Sequence, residues 1–114
     1  MEKNVKISML NEIYGKLLTQ KQNEILDDYY NQDLSLSEIA ENNQITRQAV
    51  RDILQKAEKK LNEYEQKLML LKKEEEKEKK IKKILAELTN QKEKCNLETQ
   101  KILEKIEKNL RDLE

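Results

Sequence analysis

The chain has 114 residues, with 23 Lys and Arg against 23 Asp and Glu, so it is 40% charged and formally neutral. Only 36% of residues are apolar, below the roughly 45–50% of globular domains by a count that includes Gly, which argues against one compact core spanning all of it. One Gly and no Pro argue against turn-rich β architecture, while no His and one Cys exclude zinc fingers, His-based acid–base chemistry and an intramolecular disulfide.

In chain order, Ile7, Leu10, Ile13, Tyr14, Leu17 and Leu18 recur at helical spacing and predict an amphipathic helix over about residues 4–17. Thr19 is a candidate N-cap for a second helix, whose buried stripe is Ile25, Leu26, Tyr29 and Tyr30. Asn31, Gln32 and Asp33 read as the break. Ser35-Leu36-Ser37-Glu38 matches the capping box, in which Ser35 accepts the Glu38 amide and the Glu38 carboxylate reaches back. Thr46 caps a fourth helix through Val50, Ile53, Leu54 and Ala57.

Residues 36–53 carry the pattern of a helix-turn-helix. Ala40 supplies the small contact where two helices touch, and Ile39, Ile45, Val50 and Ile53 supply the apolar pegs. The second helix then presents Arg47, Gln48, Arg51 and Gln55 outward. Arg can bind guanine O6 and N7 with two hydrogen bonds, and Gln can do the same on adenine. Thr46 and the first amides of that helix suit a phosphate. The usual turn glycine falls at Gln44, where a positive φ costs more; the preceding Asn43 tolerates it better.

Composition changes after Ala57. Residues 1–57 hold 7 basic and 9 acidic side chains, a net of −2, while residues 58–114 hold 16 and 14, a net of +2. This predicts an all-α chain of two parts, a helix-turn-helix domain at 1–57 and a helical, partly coiled-coil arm at 58–114. The charge block at residues 72–80 mixes both signs, so it reads as a solvated helix face with pairs such as Glu76–Lys80. Leu61, Tyr64, Leu68 and Leu71 form a heptad seam, which resumes out of phase at Ile81, Ile84 and Leu88, with Cys95 seven residues on. These seven apolar residues are the expected dimerisation surface, because narrow stripes alone cannot bury enough area. Helix breaks are expected near Thr89-Asn90 or at Asn96. Cys95 reads as a small buried apolar residue.

The segments Leu17-Leu18-Thr19-Gln20-Lys21-Gln22, Tyr29-Tyr30, residues 34–41, Ile45-Thr46-Arg47-Gln48-Ala49-Val50 and residues 63–68 together resemble the YlxM family of small bacterial helix-turn-helix proteins, whose domain is similar to region 4 of sigma factors. The likeness covers roughly residues 5–72. It departs at Asn43, a usually apolar position, and at Arg51, where a non-basic residue is common; Arg51 favours nucleic-acid contact. The resemblance implies an all-helical, dimeric, cytosolic protein of a Gram-positive-type bacterium, acting as a regulator in the signal recognition particle pathway through its RNA or its GTPase.

The residues by themselves leave two other functions open. One is a transcriptional regulator reading duplex DNA through Thr46, Arg47, Gln48, Arg51 and Gln55, a reading the net acidity of residues 1–57 weakens. The other is a coiled-coil adaptor that binds no nucleic acid. An enzyme is not expected, since no phosphate-binding Gly-rich loop or nucleophile–base pair is present. No cofactor, metal site or small-molecule substrate is expected either. The N-terminus lacks an uninterrupted apolar stretch and no segment approaches a membrane span, so a cytoplasmic protein without membrane insertion is expected.

Overall fold

The computed structural model describes residues 2–114. They form six α-helices: α1 (Lys3–Tyr14), α2 (Gln20–Tyr30), α3 (Leu36–Asn43), α4 (Arg47–Leu68), α5 (Leu70–Lys92) and α6 (Leu97–Arg111), with a 3-10 turn at Gly15–Leu17. No strand occurs among the described residues. The chain divides into compact units at Leu71 and Lys72.

The local signals for helix starts are met atom for atom. Thr19 caps α2 and Ser35 caps α3, each with a reciprocal capping box. Ser35 Oγ accepts the Glu38 amide at 3.1 Å, and Glu38 Oε1 accepts the Ser35 amide at 3.1 Å. Thr46 caps α4, accepting the Ala49 amide at 3.0 Å. Helix α1 ends at Tyr14 and tightens into the 3-10 turn instead of running regularly to Leu17. Gly15 sits there with an ordinary φ of −56°, yet a Cβ would lie 2.8 Å from Asn11 Oδ1. Asn11 is held by Asn23, whose amide also donates to the Gly15 carbonyl at 3.2 Å. Close approach, not positive φ, is what requires glycine here.

The core of the first unit is built from one stripe per helix. Ile7, Leu10 and Tyr14 of α1 meet Ile25 and Leu26 of α2, Ile39 and Ala40 of α3, and Val50, Leu54, Ala57 and Leu61 of α4. The four α4 residues step by 4, 3 and 4, which keeps them on one face for more than two turns. Ala57, where the composition changes, is therefore fully buried in the middle of α4 rather than at its end. The helix stops at Met69, which adopts the left-handed conformation (φ 54°, ψ 31°) without Gly or Pro. That stop is secured by a part-buried network. The Tyr14 hydroxyl donates to Glu65 Oε1 at 2.7 Å and accepts the Leu70 amide at 3.2 Å, while Glu65 Oε1 also accepts the Leu71 amide at 3.0 Å.

In the second unit the charge block is solvent-exposed except for half-buried Glu75. The anticipated Glu76–Lys80 ion pair does not form. An exposed pair one turn apart gains only about 0.3–0.5 kcal/mol, too little to hold two long side chains together. Helix α5 runs straight through Thr89 and Asn90, and the break comes later, with Asn96 capping α6 through the Thr99 amide at 2.9 Å. Gln100 Nε2 closes the corner by donating to the carbonyls of Lys92 (2.9 Å) and half-buried Cys95 (3.1 Å). Glu107 is 4% exposed and pairs with Lys92 at 3.5 Å and Arg111 at 3.8 Å.

Candidate nucleic-acid interface

Helices α3 and α4 meet through residues 44–46. Gln44 takes the left-handed conformation (φ 57°, ψ 42°) that a glycine would adopt without strain. Its cost, about 1–2 kcal/mol for a residue with a Cβ, is offset by hydrogen bonds around the turn. The Ile45 amide reaches back to the Ala40 carbonyl at 3.1 Å. Asn43 does not take the positive φ; its side-chain amide donates to the Ile39 carbonyl at 2.8 Å and its Oδ1 accepts from Lys21 Nζ. A polar residue therefore fits at this corner because both ends of its amide are satisfied.

Burial of Val50, Leu54 and Ala57 orients α4, and the orientation brings the five expected contact residues to the surface. Thr46, Arg47, Gln48, Arg51 and Gln55 are all exposed. Arg47, Arg51 and Gln55 recur every fourth residue and form one ridge; Gln48 and Asp52 form the next. Both guanidiniums are free of ion pairs among the described residues, so each keeps its full fork of donors. Gln48 is less available, since its Nε2 donates to Asp52 Oδ1 at 3.0 Å. Thr46 Oγ1 is occupied as an acceptor but retains its proton, and the amides of Arg47 and Gln48 have no acceptor within the helix. The arrangement can present two cations, two amides and a helix N-terminus to one polyanion.

Of the seven expected dimerisation residues, four lie in the first unit and three in the second. Leu61 and Leu71 are in the core of the first unit, 0% and 8% exposed, with Tyr64 packed against that core and its ring 5.9 Å from Tyr14. Leu68 and Ile84 are exposed (46% and 41%), Ile81 is buried, and Leu88 is half-buried. The helix end at left-handed Met69 interrupts the heptad between Leu68 and Leu71.

Three features escaped sequence reasoning. The Tyr14–Glu65 network joins residues 51 positions apart, for which no local pattern exists. Burial, then the Glu65 hydrogen bond, raises the Tyr14 phenol above its usual 10.0. Tyr30 is likewise raised, by burial and then by donating to Glu58, which also pairs with Lys3 at 3.7 Å. The capping box at Thr19-x-x-Gln22 had a readable signal in its spacing.

Among the described residues, no helix is long and apolar enough to cross a membrane. The model of the family described as "Putative helix-turn-helix protein, YlxM / p13 like" matches residues 1–102. A UPF0122 protein of Clostridium botulinum is 50% identical over 88 residues, which cover 77% of this chain and 81% of that protein. UPF0122 proteins of Bacillus cereus and Bacillus anthracis are 43% identical over 108 residues, covering 95% of this chain and 97% of theirs. With its paired α3 and α4 and matches along nearly its whole length, the chain belongs to the UPF0122 family of YlxM/p13-like helix-turn-helix proteins.

Proposed function

We propose that this protein is a non-catalytic, cytoplasmic regulator that uses α4 to contact the RNA or the GTPase of the signal recognition particle, as its likeness to the YlxM family implies. The observation that supports this reading is the unpaired Arg47–Arg51 ridge, carried on a unit that is otherwise net acidic. Such a unit has local donors for a structured partner but lacks the broad positive field that autonomous duplex binding requires. The test is salt-dependent binding to the particle RNA and to random duplex DNA, with pull-down against the assembled particle. Preference for the particle or its RNA is expected; no association with RNA, GTPase or receptor overturns the reading.

A second reading, a transcriptional regulator on duplex DNA, is favoured by the helix-turn-helix presentation of Arg47, Gln48, Arg51 and Gln55. Each base-reading Arg contributes about 1–3 kcal/mol of discrimination. Unchanged duplex affinity in an Arg47→Ala, Arg51→Ala variant dismisses it. In either reading the protein acts as a homodimer, paired through exposed residues such as Leu68 and Ile84, because Leu61 and Leu71 are consumed by their own core.

A further inference from the structure

Beside the α4 ridge, a slot of about 250 Å³ opens between the start of α1, the end of α2 and the middle of α4. That is smaller than the roughly 300–1,000 Å³ of pockets for drug-sized ligands, and suits one flat group. Its apolar floor is Leu36 and Leu54. Tyr29 forms one wall. It is 37% exposed, and it meets Tyr30 at 85° and 5.0 Å, so the two rings do not stack on each other. The rim carries Lys3, Arg51 and Gln55. Among the described residues the one carboxylate there, Glu58, is already committed to the Tyr30 hydroxyl and to Lys3. Arg51 has no such partner among the described residues and is the uncompensated charge there.

A part-exposed aromatic ring, an apolar floor, a free amide and a free guanidinium within one small slot match the parts of a nucleotide. A base stacks on an aromatic ring regardless of its identity, an amide reads its edge, and cations take the adjoining phosphate. We propose that this slot binds a single unstacked nucleotide of a single-stranded segment. The base lies against Tyr29, the Gln55 amide meets its edge, and Arg51 with Lys3 holds the flanking phosphate. Arg51 and Gln55 belong to both the ridge and the slot, so the slot continues the surface on which the proposed function rests. That continuity favours a nucleic acid over an acidic peptide with an aromatic side chain. A base inside a duplex cannot enter; a looped-out or single-stranded one can.

The experiment is a nuclear magnetic resonance titration of the full chain with tetra-adenylate, as RNA and as DNA, and separately with a Glu-rich peptide containing one Phe. Shifts of the Tyr29 ring and the Gln55 side-chain amide are expected with the oligonucleotides, and comparison of the two arms identifies the sugar preferred. Tyr29→Ala is expected to weaken binding about tenfold while Tyr29→Phe retains it, since stacking needs the ring and not the hydroxyl. Loss of Arg51 as Arg51→Ala lowers the salt slope by about 0.7, one phosphate contact fewer. Shifts confined to residues 46–48, an unchanged affinity in Tyr29→Ala, or shifts at Tyr29 and Gln55 with the peptide alone each overturn the slot and leave the particle reading standing. Tetranucleotide binding at the slot without any association with the particle does the reverse. No binding by any nucleic acid overturns the slot and the RNA form of the particle reading, whose GTPase form is then decided by the pull-down.

Discussion

Gln44 carries a conformation that its side chain does not favour, and the surrounding hydrogen bonds, not its own preference, hold it there. Replacing it with glycine removes about 1–2 kcal/mol of strain and adds back some unfolded-chain entropy. Gln44→Gly is expected to stabilise the fold by about 0.5–1 kcal/mol, read as a rise of a few degrees in Tm. The Tyr14 hydroxyl is the opposite case, a group whose removal exposes a debt. Tyr14→Phe leaves the Leu70 amide without its acceptor and Glu65 without its buried donor, and should cost about 1–3 kcal/mol by denaturant unfolding. Both Tyr14 and Tyr30 have phenols raised by burial and by carboxylate contacts. Their neutral forms stabilise the fold fully below the ordinary phenol value of 10.0; as pH rises beyond it, the unfolded chain ionises first and stability falls. A Tyr14→Phe, Tyr30→Phe variant should show a flatter loss of stability above about pH 10.

At the scale of elements, the helix starts were legible in the sequence because capping is local. Ser35 and Glu38, or Thr46 and the Ala49 amide, lie within one turn, so their chemistry is written in adjacent residues. Thr46→Ala should therefore cost about 1 kcal/mol and fray the first turn of α4, visible as faster amide exchange at Gln48 and Ala49. Helix ends were not legible to the same degree. Met69 ends α4 without Gly or Pro, through contacts made by Tyr14, far away in the chain. For the same reason the seam through Leu61, Tyr64, Leu68 and Leu71 looked continuous in one dimension and is divided in three.

At the scale of the whole chain, the heptad pattern has two uses that spacing cannot tell apart, packing within a chain and packing between copies. Leu61 serves the first, so Leu61→Ala should lower stability by about 2–5 kcal/mol through the cavity it leaves. The proposed dimer draws on exposed leucine and isoleucine instead. A Leu68→Glu, Ile84→Glu variant should sediment as a monomer with its helical content intact; a wild-type monomer at micromolar concentration would refute that dimer. Charge tells the same story at both boundaries. Extending the first unit from residue 57 to residue 71 adds three basic and three acidic side chains, so its net stays at −2. Any contact with a polyanion must then come from particular side chains, not from the field of the unit.

By itself the sequence determined that this is an all-helical chain with a helix-turn-helix at residues 36–53, and which α4 residues face outward. Helical period, caps and the small contact at Ala40 are properties of residues within a turn or two of one another. Only the tertiary structure decided where α4 ends, which leucines are spent on the core, and that Lys3, Tyr29 and Arg51 share one slot. Those outcomes depend on packing between residues distant in the chain, and no local spacing encodes which of several apolar or charged side chains will meet.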